Sequence, residues 1–120
     1  MGFVYVFMGG GIGAVCRYAL GLWLGRSEAN VIPWHTLLSN VLACLIAGML
    51  IAWLPKSGYY SEGRLWLLTG FCGGFSTFST FGVETIFMLQ RGHSLAALSY
   101  MALSLASCLM AVVAGIKIMG

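Results

Sequence analysis

The residues best suited to chemistry lie between Gly70 and Phe81, which reads GFCGGFSTFSTF: glycines, four hydroxyls and paired phenylalanines inside a stretch that is otherwise apolar from Leu65 to Leu89. Gly70, Gly73 and Gly74 weaken a helix, and backbone groups freed at membrane depth persist only where protein or a water-lined path satisfies them. The segment therefore predicts a broken helix at a functional site. Thr77 and Thr80 stand three apart, as do Phe78 and Phe81, and Glu84 lies one turn beyond Thr80, so hydroxyls, rings and a carboxylate fall on adjacent stripes. A phenylalanine pair at this spacing is ordinary packing when it stands alone. Beside donors and a glycine break it gains a second use, because an aromatic ring has a negative face and a positive edge. A small hydrated anion needs donors that replace its water without a full charge to trap it, and amides, hydroxyls and ring edges supply such moderate binding.

Two further sets of polar groups belong to this chemistry. Asn40 sits about one third of the way into the second apolar stretch, with Ala43, Cys44, Ala47 and Gly48 on nearby faces. Its amide either makes an interhelical hydrogen bond, worth about 1 kcal/mol in membranes, or lines the same path as the 70–81 segment. Tyr100, Ser104 and Cys108 recur at steps of four with Ser107 beside them, a polar track along an apolar helix. The competing reading is that the serines bond back to their own helix.

The elements that must position these groups follow from composition. The chain has 120 residues, of which 60% are hydrophobic and 8% charged, and its mean hydropathy is +0.94. These values exclude a soluble globular domain and point to an all-α integral membrane protein. Four stretches approach the roughly 20 residues needed to cross a hydrocarbon core of about 30 Å: Phe3 to Leu24, Trp34 to Leu54, Leu65 to Leu89 and Leu95 to Ile118. They form a single domain over residues 1–120. Trp34, Trp53, Tyr59, Tyr60 and Trp66 gather near span ends, where amphipathic rings anchor at the headgroup level. A signal peptide is a poor description of the first span, which lacks a preceding basic segment, is too long and carries Arg17 in its later half.

Most charge falls in the connections: Arg26 and Glu28, then Lys56, Glu62 and Arg64, then Arg91 and His93. With four helices the termini share a side with Lys56, Arg64 and Lys117, whereas Arg26, Arg91 and the nearby Arg17 lie towards the other. This balance leaves almost no positive-inside bias, which suits either a weakly biased single orientation or insertion both ways with head-to-tail pairing. Arg17 and Glu84 lie close enough to span ends to snorkel or to pair. Arg17 is expected to anchor the fold, and Glu84 either orients path-lining hydroxyls or holds structure. His35 and His93 sit at the interface. Cys16, Cys44, Cys72 and Cys108 show no metal or disulfide spacing and read as small packing residues. The GGGIGA run at Gly9 to Ala14 lacks the strand a dinucleotide fingerprint requires and suits close helix packing. No nucleophile–base pair or metal cluster suggests an enzyme.

The GGFSTFSTF motif, Asn40, the early GGGIGAVCRY and the four-span length together resemble the Fluc/CrcB family of small bacterial fluoride channels, over essentially the whole chain. The resemblance implies a four-helix protein with its third helix broken near the middle, assembled as an antiparallel dual-topology homodimer with two pores in the bacterial inner membrane. It implies passive fluoride export that relieves toxicity, with fluoride, lipid and a second copy as partners and no nucleic acid. Phe78, Phe81 and Asn40 correspond to the family's pore residues, and Tyr100 and Ser104 to its polar track. Cys108 stands where serine is typical and is a weaker donor. Ser107 points elsewhere. Thr77, Ser79 and Thr80 match the hydroxyl-rich motif, and Arg17 and Glu84 match polar positions near the vestibule or dimer interface. A structural Na+ would be held on the two-fold by backbone carbonyls, assigned here to Gly73 and Ser76 of both subunits, as unwound helices hold cations elsewhere.

Two other functions compete. A small multidrug-type proton-coupled exporter needs a central carboxylate, but Glu84 is the sole acid within a span and lies late in the third. A noncatalytic membrane assembly subunit would use the same small and polar residues only to pack against a larger protein.

Overall fold

A computed structural model describes residues 1–24 and 32–120, so Arg26 and Glu28 of the first connection lie outside the described residues. Among the described residues the regular structure is helical: α1 (Gly2–Leu24), α2 (Trp34–Ser57), α3 (Tyr60–Gly63), a π-helical stretch (Arg64–Cys72), α4 (Gly73–Phe75), α5 (Phe78–Gln90) and α6 (Ser94–Met119). Of these, α1, α2 and α6 are each long and apolar enough to cross a membrane. The expected third span is instead a chain of shorter pieces from Tyr60 to Gln90. The 50 Å long dimension of the protein accommodates a bilayer of about 40–45 Å including headgroups.

The helices associate as two parallel pairs. In the first, Thr36 meets Tyr100, Cys44 meets Cys108 and Gly48 meets the Val112 backbone, so α2 and α6 advance in step. Lys56 Nζ donates to the Met119 carbonyl at 3.3 Å where this pair ends. Small residues set the approach: a methyl group at Gly48 would collide with the Val112 carbonyl, and one at Gly115 with the Leu45 carbonyl. Such contacts drive helix association where burial from water supplies no force.

The second pair joins α1 to the π-helical stretch and α4. A methyl at Gly9 would strike the Trp66 carbonyl, one at Gly13 the Phe71 carbonyl, and one at Gly74 the Gly10 carbonyl. The GGGIGA run is thus a packing face. This also corrects the part expected of the glycines, while the break itself falls inside the 70–81 segment. Gly70, Gly73 and Gly74 remain helical, and Gly70 and Gly74 serve close approach, while the break lies beyond them at Ser76 and Thr77.

A core of Leu37, Met88, Ala97 and Tyr100, with Val41 and Phe81 packed against it, ties α5 to the α2–α6 pair. The outside is apolar, with Phe3, Phe7, Leu105 and Met110 exposed. That inversion of the soluble pattern suits contact with lipid or with another membrane chain.

Candidate functional site

The site is built on the interruption between α4 and α5. Ser76 (φ −87°, ψ 157°) and Thr77 (φ −152°, ψ 123°) are extended, so the helical backbone conformation stops for two residues. Side chains take up two of the freed donors. Thr77 N–H donates to Asn40 Oδ1 of α2 at 2.9 Å. Thr77 Oγ1 caps α5 by accepting from Thr80 N–H at 3.4 Å, and it lies 3.1 Å from Ser79 Oγ. Ser76 turns back instead, its N–H and hydroxyl donating to the Cys72 carbonyl at 3.0 and 2.9 Å. Arg17 Nε donates to the Gly74 carbonyl at 3.3 Å, placing that guanidinium beside the break.

These substitutions leave a definite residue of unsatisfied groups. In an unbroken helix Thr77 N–H would donate to the Gly73 carbonyl and Thr80 N–H to the Ser76 carbonyl. Both donors are taken by side chains, so the Gly73 and Ser76 oxygens lose their helical partners. Gly73 is exposed, with nothing near the position a side chain would occupy. The Asn40 oxygen is committed to Thr77, which directs the two N–H bonds of its amide away from that contact.

A cavity of about 210 Å³ is lined by Asn40, Cys44, Ser76, Thr77, Phe78, Phe81, Ser104, Leu105, Cys108 and Leu109. Seven of the residues singled out from the sequence converge here from α2, the break, α5 and α6. The Phe78 and Phe81 rings lie 5.6 Å apart, tilted by 44°. Phe78 is 81% exposed and forms an open side of the cavity, whereas Phe81 packs against Tyr100 at 5.1 Å. Ser104 Oγ is buried and has no hydrogen-bond partner among the described residues. The back-bonding that sequence allows is made by Ser39, Ser76 and Thr85, but Ser104 holds its hydroxyl unpaired at the cavity wall.

The remaining candidates stand around this cavity. Ser79 and Thr80 belong to the cap of α5. Tyr100 is fully buried beneath Phe81, its hydroxyl donating to Glu84 Oε1 at 3.3 Å. Glu84 Oε2 lies 3.6 Å from His35 Nε2, so this carboxylate links α5 to both α6 and α2. His35 therefore has an interhelical partner. Ser107 faces a separate pocket with Trp34, Leu38 and Val41.

The cysteines divide. Cys72 is buried, as a packing residue should be, but Cys16, Cys44 and Cys108 are only partly buried, and Cys44 and Cys108 face each other at the cavity. Cys44 was not identifiable as a cavity residue by type. Its signal was position: it follows Asn40 by one turn, as Cys108 follows Ser104. Leu105 and Leu109 carry no such signal, being apolar residues in an apolar helix.

Chemically, the cavity offers amide N–H groups, an unpaired hydroxyl, thiols and ring edges, with no cationic side chain among the described residues that line it. It can solvate an anion without forming an ion pair. Comparison with known proteins finds a family profile described as CrcB-like protein, Camphor Resistance (CrcB), matching residues 4–116. A Rhizobium johnstonii protein named fluoride-specific ion channel FluC is 39% identical over 117 residues, covering 97% of this chain and 94% of the relative. A protein of the same name from Chloroflexus aurantiacus is 40% identical over 112 residues, covering 92% and 89%. A Nitrobacter hamburgensis protein named fluoride-specific ion channel FluC 1 is 37% identical over 119 residues, covering 94% and 90%.

Proposed function

This chain belongs to the CrcB-like family, and from that premise we propose that it is a fluoride-selective passive channel which releases cytoplasmic fluoride through a bacterial inner membrane. The observation that carries the reading is the placement of Asn40: its oxygen accepts from the broken helix, which leaves its N–H groups as the donors it offers to the cavity it lines with Phe78 and Ser104. Fluoride leaving water would exchange its hydration shell for the Asn40 N–H groups, the Ser104 hydroxyl and the positive edges of Phe78 and Phe81. Cys108 extends the donor series more weakly. An unpaired buried hydroxyl costs about 1–3 kcal/mol, so an ion or water at Ser104 recovers interaction that the protein forgoes when the cavity is dry.

Transport needs no energy input beyond the membrane potential. Hydrogen fluoride enters cells neutral and dissociates inside, and a negative-inside potential drives the anion outward with about 2.3 kcal/mol per charge per 100 mV. Glu84, paired with Tyr100 and His35 away from the cavity lining, does not supply the central carboxylate that a proton-coupled drug exporter uses.

The broken segment completes a fourth crossing, and the working unit is an antiparallel dual-topology homodimer with two pores. Its support is the open side of the cavity at Phe78, the apolar exterior and the balanced basic residues. The Gly73 and Ser76 carbonyls, deprived of their helical donors, fit a hard cation such as Na+, to be shared with the same residues of the second copy. That ion would supply positive charge at the subunit junction. Arg17 holds the Gly74 carbonyl beside this position, and Thr77, Ser79 and Thr80 hold the re-entrant start of α5.

The test is efflux from liposomes containing only this protein, read with a fluoride electrode and separately with a chloride electrode. Fast fluoride release with negligible chloride release is expected. Folded dimers that release no fluoride refute the channel and return attention to an exporter or an accessory subunit.

A further inference from the structure

Cys44 and Cys108 line the cavity as donors weaker than the amide and hydroxyl near them, so anion solvation alone gives little reason for two of them. A thiol is a weak donor, yet two are brought face to face from neighbouring helices, each one turn beyond a stronger donor: Cys44 beyond Asn40, and Cys108 beyond Ser104. The parallel, in-step packing of α2 and α6 fixes this pairing, because Gly48 and Gly115 lock the register on the far side of Cys44 and Cys108. Leu105 and Leu109 complete an apolar wall beside them.

We propose that Cys44 and Cys108 form a two-thiolate capture site for a soft, linearly coordinating cation of the Hg2+ class, and that its occupation closes the anion path. Thiolate ligands favour soft metals. A structural zinc site takes four ligands, and the described residues contain no cluster of three or more His, Cys, Asp or Glu placed to hold a metal. Two opposed sulfurs match a metal content with two ligands. Charge points the same way: two thiolates and one divalent cation make a neutral unit, which avoids the large penalty of leaving net charge in an apolar setting.

The reaction balances without an oxidant or reductant. Mercuric chloride, itself neutral and able to reach membrane depth, exchanges two Hg–Cl bonds for two Hg–S bonds, and two protons and two chlorides leave to water. Conduction requires binding weak enough to release. A metal bonded to both walls is held too firmly to pass, and it occupies the space beside the Asn40 and Ser104 donors.

The closure rests on the channel reading, whereas capture does not. The experiment therefore has two readouts on the full-length dimer. Protein is loaded with mercuric chloride, washed with a monothiol to strip singly bound metal, and weighed by native mass spectrometry. One Hg(II) less two protons should remain per protomer, and both Cys44→Ser and Cys108→Ser should lose it while Cys16→Ser keeps it. Retention in either serine variant, or stripping from the wild type, overturns the capture site. In liposomes, loaded wild type should lose most of its fluoride flux and regain it with a dithiol, while Cys44→Ser and Cys108→Ser each keep the flux they show without metal. Full flux through wild type that retains mercury overturns the closure. Metal-free wild type that passes no fluoride refutes the channel reading instead, and the mass measurement still decides capture.

Discussion

Replacing Asn40 by aspartate separates the two tasks assigned to this side chain. The Oδ1 atom that accepts from Thr77 N–H at 2.9 Å is retained, so the broken helix keeps its partner. The amide nitrogen becomes a second carboxylate oxygen, which turns a donor into a negative charge. An anion about 4 Å away is then repelled by about 4 kcal/mol at an effective dielectric of 20. At about 1.4 kcal/mol per factor of ten, fluoride occupancy beside this residue falls by about a thousandfold. The assay is fluoride efflux from liposomes clamped by a potassium ionophore at neutral pH, with size-exclusion and thermal unfolding checking the fold. A normal dimer with flux reduced by at least two to three orders of magnitude is expected. Acidification should restore part of the flux, because protonating the new carboxylate removes its charge. A folded Asn40→Asp channel that conducts within a few-fold of wild type at neutral pH would remove Asn40 from the path.

Four other substitutions test separate parts of the site and its scaffold. Phe78→Ile and Phe81→Ile remove the ring edges; both should cut fluoride flux, but only Phe81→Ile should also lower thermal stability, by about 1 kcal/mol, because Phe81 packs on Tyr100 whereas Phe78 is open. Full flux in both excludes ring-edge coordination. Ser104→Ala should move stability and conduction in opposite directions: loss of an unpaired buried hydroxyl leaves folding unchanged or better by about 1 kcal/mol, while fluoride efflux slows, and a destabilised variant would reveal a protein partner for Ser104. Gly13→Ala drives a methyl into the Phe71 carbonyl, and overpacking of this kind costs about 1–3 kcal/mol, read as a lower unfolding temperature in detergent; an unchanged temperature would mean that α1 does not pack this closely.

The parts of this architecture legible in sequence are those set by local composition. Apolar runs announced α1, α2 and α6, and the density of glycines and hydroxyls announced an interruption in residues 70–81. Its position was not legible, because the deciding group is on another helix. Thr77 leaves the ladder where Asn40 accepts its N–H, thirty-seven residues away in sequence. The glycines raised the opposite difficulty. Gly70 and Gly74 look like helix breakers until α1 is placed against them, and then their lack of a side chain explains tight packing. Glu84 shows the same limit, since its links to His35 and Tyr100 join helices whose facing was unknown. Cys44 is not legible as a cavity residue from its type, and only its one-turn offset from Asn40 marks it.

A single interruption of the helix at Ser76 and Thr77 leaves groups of opposite character. Asn40 and the Thr77 hydroxyl take the donors that the Gly73 and Ser76 carbonyls require, so acceptors are left at the end of the first piece. Because Asn40 spends its oxygen on that exchange, what it has left to offer the cavity it lines is N–H donors. The arrangement thus sorts oxygens suited to a cation from N–H groups suited to an anion, without any ionised side chain in the cavity lining. In the proposed dimer this has a consequence for both ions. Removing the cation would leave exposed carbonyls to seek other donors, among them Thr77 N–H, and any such shift would release the Asn40 oxygen into the anion path. Sodium removal should therefore lower fluoride flux through the Asn40–Thr77 bond, and Asn40→Ala should blunt that sodium dependence. Equal sodium dependence in wild type and Asn40→Ala would mean that the two sites are not coupled through this bond.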